Sequence, residues 1–229
     1  MLAAGPVFEL RHGGQVYSRF PQLDASIFHL ELLVADLVLD AHPAPTRLHA
    51  GCATIDGRRV LVSGAGRVGK TTLLLSLLLR GADVHCDEIV LLEGREVRPF
   101  PKKFVIFDGM LTVVPELVPL CRGLHRFVTP DGGGFRLFDP VDAGRRWHFP
   151  PGRVGHIFFL EQNFGGAAAV EATTKTNMVQ NLMLQTINVG EETGRRIRDL
   201  SAVVADAQCY RVAVGDPEET VAAILRVLG

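Results

Sequence analysis

Residues 64–72, with the sequence GAGRVGKTT, combine the residue types with which proteins bind phosphate groups. Gly64, Gly69, Lys70 and Thr71 follow the spacing G-x-x-x-x-G-K-T. In that pattern backbone amides surround a triphosphate, the lysine contacts the outer phosphates and the hydroxyl meets magnesium. Gly64, Gly66 and Gly69 also follow the spacing G-x-G-x-x-G of dinucleotide-binding turns. The first pattern indicates phosphoryl transfer from a nucleoside triphosphate, whereas the second indicates hydride transfer with a dinucleotide coenzyme.

Two features of the surrounding sequence favour the triphosphate interpretation. The charged Lys70 follows the third glycine, where a dinucleotide-binding fold packs a helix closely against a strand. The chain also turns back at Glu93-Gly94, whereas a dinucleotide-binding fold would continue into a crossover helix. We therefore predict that the loop binds a nucleoside triphosphate with Mg²⁺. The predicted binding residues are Gly64, Ala65, Gly66, Arg67, Val68, Gly69, Lys70, Thr71 and Thr72.

Two adjacent carboxylates, Asp87 and Glu88, lie in the apolar segment DVHCDEIV. Phosphoryl transfer to an alcohol needs carboxylates for the metal and a base for the hydroxyl proton, so this pair is a candidate for both. Because adjacent residues of a strand point to opposite sides, we expect one to reach the phosphates and the other to serve the metal or a turn. A solvated acidic pair without a chemical role is the alternative.

Hydrophobic periodicity and turn residues predict the elements around the loop. Residues 24–41 predict an amphipathic helix that packs on another element and is ended by HPAP at 42–45. Two strands joined at Asp56-Gly57 predict a tight hairpin that leads into the loop. The segment KTTLLLSLLLRG predicts a buried helix closed by Gly81. The apolar stripe of the first helix consists of Ile27, Leu30, Leu33, Val34 and Leu37.

The rest of the chain alternates predicted strands and helices. Proline and glycine are frequent from 100 to 153, which predicts loops and short strands. Asp216, Pro217 and the two following glutamates have the pattern of a capped helix start. The other predicted elements are an antiparallel strand pair at 83–99, strands at 155–162 and 209–214, and helices near 174–187 and 191–207.

The composition is that of an ordinary globular protein. With 229 residues, 47% of them hydrophobic, we predict one domain over 1–229 with residues 1–45 as an N-terminal extension of helix and strand. A formal net charge of −1 gives no overall attraction to nucleic acid or anionic membranes, so neither is a predicted partner. Four cysteines without C-x-x-C spacing, no leader and no long apolar run predict a cytoplasmic protein with reduced thiols.

Residues 49–101, from HAGCATIDG to REVRPFP, resemble the core of HPr kinase/phosphorylase and its smaller relatives, some of them associated with lasso peptide gene clusters. The resemblance extends over about 45–105. It rests on the histidine before the strand pair, the glycine loop and the segment RGADVHCDE. It implies an α/β P-loop kinase fold of the HPr kinase/PEP carboxykinase type, in which helices flank a mixed sheet with antiparallel hairpins. It also raises the expectation of a homo-oligomer.

The same resemblance implies roles for individual residues. Asp87, Lys70 and His49 become the catalytic candidates, with Asp87 as the base towards the acceptor hydroxyl and Lys70 on the β- and γ-phosphates. Thr71 and Glu88 become the magnesium candidates, and Glu88 replaces an aspartate of the family. That His49 is simply a buried histidine of the core, with no role in the reaction, is an equal alternative.

The glycine-rich signature of HPr kinases, which carries a catalytic arginine, is missing from the sequence. Its absence argues against HPr as the substrate and against phosphorylase activity. Candidate cations in its place are Lys102, Lys103, Arg145, Arg146 and Arg153.

The sequence thus predicts an ATP- and Mg²⁺-dependent kinase that phosphorylates a hydroxyl, namely serine of a peptide or small protein such as a natural-product precursor peptide. A nucleotide-binding regulatory module without efficient transfer and a kinase of a small metabolite are the alternatives.

Overall fold

The computed structural model describes residues 7–41, 46–129, 132–187 and 193–229. The helices in these ranges are α1 (Leu23–Asp40), α2 (Lys70–Leu79), α3 (Asp108–Val113), α4 (Lys175–Met183), α5 (Thr193–Val204) and α6 (Pro217–Leu228). The strands are β1 (Phe8–His12), β2 (Gln15–Phe20), β3 (Thr46–Ile55), β4 (Arg58–Gly64), β5 (Asp83–Cys86), β6 (Ile89–Glu93), β7 (Glu96–Pro99), β8 (Phe104–Phe107), β9 (Phe127–Val128), β10 (Gly134–Phe138), β11 (Gly152–Arg153), β12 (His156–Gln162), β13 (Ala169–Ala172), β14 (Thr186–Ile187) and β15 (Gln208–Val214).

Most of the strands form one mixed sheet in the order β11-β7-β6-β3-β4-β12-β15-β13, and β5 and β14 also pair with β3. Strands β4, β12 and β15 run parallel, whereas β3 pairs antiparallel with β4 and with β6. The chain is therefore an α/β protein with a mixed sheet, as the sequence predicts. The C-terminal ends of β4, β12 and β15 lie at one edge of the sheet, so the loops that follow them are neighbours.

Helices cover both faces of this sheet, because alternate side chains of each strand point to opposite faces. On one face, α2 and α6 bury Leu74 and Ile224. On the other face, α4 and α5 bury Leu182 and Val203. A second sheet, in the order β8-β10-β9, contributes Phe104 to the first of these two cores.

Helix α1 confirms the helix that the sequence predicts at 24–41. The side of the helix that packs is not the predicted apolar stripe. It contacts the three-stranded sheet β8-β10-β9 through Phe28, whose ring meets that of Phe135 edge-on with centroids 4.9 Å apart. Leu33 of the predicted stripe is buried, but Leu30, Val34 and Leu37 are exposed. The helix carries apolar residues on more than one side, so periodicity alone does not identify the side that packs.

Several predicted elements are confirmed. Asp56 and Gly57 both have positive φ, at 47° and 76°, and join β3 to β4 as a hairpin. The Asp216 side chain accepts hydrogen bonds from the amides of Glu218 and Glu219 at the start of α6. The described residues of the segment 100–153 form loops and short strands, together with the short helix α3 and two 3-10 helices.

One predicted helix is too long. The sequence places residues 174–187 in a helix, but α4 ends at Met183 and Thr186–Ile187 form β14 on β3. The partner strand β3 lies far from Thr186 and Ile187 in the sequence, so local propensity gives no sign of the pairing. The helix predicted at 191–207 corresponds to α5, and residues 191–192 lie outside the described residues, as does the predicted HPAP stop at 42–45.

Among the described residues, no helix combines the length and the apolar composition needed to cross a membrane.

Candidate functional site

The glycine loop between β4 and α2 needs backbone conformations that glycine adopts easily. Gly64 and Gly69 have φ of 149° and 105°, and a Cβ on Gly64 would lie 2.6 Å from the carbonyl oxygen of Leu160. Arg67, at the tip, has φ of 63°. Ala65 and Gly66 are exposed, whereas the side chain of Val68 packs into the core, so Val68 offers a ligand only its backbone.

Lys70 begins α2 and lies against the inner side of the loop. Its Nζ donates to the carbonyl oxygens of Gly64 and Ala65 at 2.8 and 2.9 Å. The residue is 6% exposed, and burial lowers the pKa of its amine to about 8. The amine is thus held beside the loop by two neutral acceptors.

Asp87 lies beside Thr71, the residue that follows Lys70 in α2. Its Oδ2 accepts a hydrogen bond of 2.7 Å from Thr71 Oγ1. The carboxylate is 7% exposed, and burial raises its pKa to about 6 against the opposing effect of the Thr71 hydroxyl. A carboxylate with a raised pKa beside a glycine loop is suited to accept a proton near neutral pH.

A glycine in β3 lets the backbone at Asp87 come close. A Cβ on Gly51 would lie 3.1 Å from Asp87 Cα and 2.2 Å from Leu74 Cδ1. Gly51 is a part of the site that the sequence motifs do not reveal. The available signal was a glycine inside an otherwise β-forming run, which suggests a bulge or a close backbone approach.

The strand predicted through Asp87 and Glu88 is interrupted at these two residues. Strand β5 ends at Cys86 and β6 begins at Ile89, so the carboxylates lie in a bend and both face one cleft. The expectation that they point to opposite sides is therefore wrong. The physical reason lies at Gly51 of β3, where the backbone of Asp87 comes closer than a Cβ would allow, while Cys52–Cys86 and His49–Ile89 keep one register on both sides of the bend.

Glu88 forms an ion pair with Lys102. Lys102 lines the same cleft as Asp87, and its side chain is largely buried. The other cations suggested by the sequence lie elsewhere: Lys103, Arg145 and Arg146 are exposed outside the cleft, and Arg153 faces Asp206 at 3.7 Å. The fold therefore selects Lys102 from the five candidates.

His49, on β3, lines the same cleft as Lys70 and Glu88. Burial lowers the pKa of its imidazole, the nearby charge of Lys70 lowers it further, and the side chain hydrogen-bonds Gln185. The ring is therefore neutral at pH 7. Its backbone oxygen accepts a hydrogen bond of 3.0 Å from Ser63 Oγ, which ties it to the strand that leads into the loop.

We call the space between these groups the carboxylate cleft. It has a volume of about 580 Å³, and Lys70, Thr71, Asp87, Glu88 and Lys102 contribute its polar groups. Its outer walls are apolar and are formed by Phe28 and Leu32 of α1 with Phe107 and Met110. A second cavity, which we call the side pocket, lies beside the loop, has about 800 Å³ and shares Arg67, Gly69 and Thr72 with the cleft.

The polar groups of the cleft fit a hard divalent cation that is bound together with a phosphate. No group of three or more His, Cys, Asp or Glu side chains placed to hold a metal occurs in the described parts of the chain. Mg²⁺ is commonly held by one or two carboxylates with phosphate oxygens, and Thr71 and Glu88, which both line the cleft, are the residues that would hold it. The Thr71 hydroxyl hydrogen-bonds Asp87 in the structure.

Comparison with known proteins shows distant likeness to solved structures only. No protein-family model matches the chain, and no curated protein matches it. The chain is similar to a solved structure of the HPr(Ser) kinase/phosphatase from Coxiella burnetii, with 14% sequence identity and a TM-score of 0.38. The match covers 80% of this chain and 97% of that chain. At this identity and TM-score the function has to be inferred from the chain's own residues.

Proposed function

We propose that the chain transfers the γ-phosphoryl group of ATP, together with Mg²⁺, to a hydroxyl group, and that serine of a peptide or small protein carries this hydroxyl. The observation that carries the proposal is the meeting of Lys70, Thr71 and Asp87 at one cleft, where Thr71 Oγ1 lies 2.7 Å from Asp87 Oδ2. Phosphoryl transfer to an alcohol needs a phosphate-binding loop, a cation, a hydroxyl for the metal and a base. These groups provide all four.

In the proposed reaction, the acceptor hydroxyl gives its proton to Asp87 while its oxygen bonds to the γ-phosphorus. The bond from that phosphorus to the bridging oxygen breaks, ADP leaves with the electron pair, and Asp87 later releases the proton to solvent. Burial supports this role because it raises the pKa of Asp87 to about 6, closer to neutral pH than that of an ordinary aspartate.

Positive charge is needed where the phosphate oxygens gain negative charge. Mg²⁺ supplies part of it when bound, with Thr71 and Glu88 as its protein ligands. Lys70 contacts the outer phosphates from the inner side of the loop. Lys102, which lines the same cleft and pairs with Glu88, provides the further cation.

The walls of the carboxylate cleft support a polypeptide acceptor. Phe28, Leu32, Phe107 and Met110 give its outer part an apolar lining, which suits the side chains on either side of a serine. A small polar metabolite would find few polar partners there outside the catalytic groups.

The test is a phosphorylation assay with ATP, Mg²⁺ and a library of serine-containing peptides, followed by mass spectrometry. A phosphopeptide that disappears with Lys70→Ala and with Asp87→Asn supports the proposal. Tight ATP binding without product on any acceptor indicates a regulatory module instead. If Lys70→Ala still binds ATP and Asp87→Asn still transfers at the native rate, the assigned roles are wrong.

A further inference from the structure

We propose that the side pocket binds the nucleoside of the triphosphate, with the base stacked on Phe164 and the sugar hydroxyls facing Asp216 and Glu219. This inference rests on the proposed function, because it places the rest of the nucleotide whose phosphates the glycine loop holds. The side pocket has about 800 Å³, a size that accommodates a nucleoside.

The pocket lies where the parallel strands of the sheet end. Its walls are the glycine loop after β4, residues 164–167 after β12 and residues 214–217 at the end of β15. Ligands of α/β proteins bind at this edge of the sheet, outside the carboxyl ends of parallel strands. Because Arg67, Gly69 and Thr72 line both the side pocket and the carboxylate cleft, the two cavities meet at the loop.

The two cavities divide the nucleotide and the acceptor between them. Asp87 and Lys102 lie in the carboxylate cleft, so the acceptor has to approach the loop from that side. In an in-line transfer the attacking and leaving oxygens lie on opposite sides of the phosphorus. The leaving ADP therefore lies on the side away from Asp87, and the side pocket is the large cavity that the loop borders there.

The wall formed by residues 164–167 is held in place by Asn163 before any ligand binds. Asn163 Nδ2 donates to the carbonyl oxygen of Ala167 at 2.9 Å, and the amide of Gly166 donates to Asn163 O at 2.9 Å. Gly215 packs closely on this segment, since a Cβ there would lie 2.5 Å from the carbonyl oxygen of Gly166. Because this wall is already ordered, it loses less conformational entropy when a ligand binds.

The charges in the pocket suit a nucleoside better than a second phosphate. Asp216 Oδ1 already accepts the amides of Glu218 and Glu219, so the start of α6 has no need of an external anion. The carboxylates of Asp216 and Glu219 line the pocket and would repel phosphate. They accept hydrogen bonds from sugar hydroxyls or from an amino group of a base.

Phe164 provides the surface for the base. The ring lies at the pocket and is 57% exposed, although a phenyl group normally gains by burial. Leu73 and Val214 make the floor beside it apolar. A flat base that enters between them buries this ring, and stacking of a base on an aromatic side chain contributes substantially to nucleotide affinity.

The experiment separates nucleoside contacts from phosphate contacts. Isothermal titration calorimetry with Mg²⁺ present measures MgATP and magnesium tripolyphosphate on wild type, Phe164→Ala, Phe107→Ala and Lys70→Ala. Phe107 is the matched control, because it is 51% exposed and lines the carboxylate cleft on the other side of the loop. Far-ultraviolet circular dichroism and thermal melting verify that each variant is folded.

We expect Phe164→Ala to weaken ATP binding by about tenfold or more and to leave tripolyphosphate binding within about twofold of wild type. Phe107→Ala should change neither ligand's affinity, and Lys70→Ala should weaken both. If Phe107→Ala instead weakens ATP alone, or if wild type binds ATP no better than tripolyphosphate, the nucleoside is not in the side pocket and the phosphate site stands. If wild type binds neither ligand, the proposed function fails and this inference fails with it.

Discussion

Thr71 donates a hydrogen bond of 2.7 Å from Oγ1 to Asp87 Oδ2, which joins the first turn of α2 to the bend between β5 and β6. The Thr71 hydroxyl and the burial of the site shift the pKa of Asp87 in opposite directions. Burial raises the pKa of Asp87, the Thr71 bond lowers it, and the balance leaves a pKa of about 6. The first turn of α2 thus moderates the basicity that burial gives to the carboxylate.

Replacement of Asp87 by Asn should remove transfer without removing nucleotide binding. The amide keeps the size of the carboxylate but cannot take a proton, so we expect kcat to fall by about 10²–10⁴-fold. Calorimetry should show ATP affinity within a few-fold of wild type. The matched control is Asp83→Asn, in the exposed first residue of β5, which should keep the native rate. A native rate in Asp87→Asn would remove Asp87 from the role of the base.

The adjacent lysines at 102 and 103 offer a sharp comparison. Lys102 lines the cleft and pairs with Glu88, whereas Lys103 is exposed outside it. We expect Lys102→Ala to lower kcat by about 10²–10³-fold, the usual effect of losing one group that stabilises transition-state charge, and Lys103→Ala to change it less than about twofold. Lys102→Arg should restore part of the rate. Equal losses from both alanine variants would show that the effect is one of general surface charge.

The parts of the site that are local in sequence could be predicted. The glycine loop and the helix after it follow from a pattern of nine consecutive residues, because positive φ at Gly64 and Gly69 and the buried leucines of α2 are properties of short segments. The hairpin at Asp56-Gly57 is local for the same reason.

The parts that depend on distant pairing could not be predicted. The backbone geometry at Asp87 depends on its close approach to Gly51, more than thirty residues away in the sequence. The selection of Lys102 among the five cations depends on where the chain returns to the cleft. The side of α1 that packs depends on Phe135, which belongs to the three-stranded sheet β8-β10-β9. Such contacts leave no periodic signal, because they are set by tertiary structure.

The close approach at Gly51 gives a test of the backbone geometry. A Cβ on Gly51 would lie 2.2 Å from Leu74 Cδ1 and 3.0 Å from the carbonyl oxygen of Cys86, so neighbouring atoms have to move. We expect Gly51→Ala to lower the free energy of unfolding by about 1–3 kcal/mol in urea denaturation and to lower kcat as Asp87 is displaced.

Gly155→Ala is the matched control for this substitution. A Cβ on Gly155 would meet only the carbonyl oxygen of Arg59, at 3.8 Å, which is an ordinary contact. The control should therefore be as stable and as active as wild type. A Gly51→Ala protein that behaves like the control would mean that the backbone of β3 has room at this point.

The buried His85 should make stability depend on pH. Its imidazole is 2% exposed and bonds Thr54 Oγ1 and the carbonyl oxygen of His148, both at 2.9 Å. Burial lowers its pKa from 6.5 to about 4, the positive charge of Arg59 acts in the same direction, and the bond to His148 and the charge of Asp83 oppose them. Since His148 O can only accept, Nδ1 carries the proton and Nε2 accepts from the Thr54 hydroxyl.

The sign of the effect follows from the protons bound in each state. Between pH 6.5 and 4 the unfolded chain protonates His85 while the folded protein does not, so stability is complete above pH 6.5 and falls as the pH drops. The loss reaches up to about 3 kcal/mol at pH 4. Urea denaturation at a series of pH values should show a flatter profile for His85→Gln, whose side chain does not titrate. The exposed His12→Gln should keep the wild-type profile. Equal slopes for wild type and His85→Gln would mean that the folded protein protonates His85, and hence that the Thr54 hydroxyl has turned to accept instead of donate.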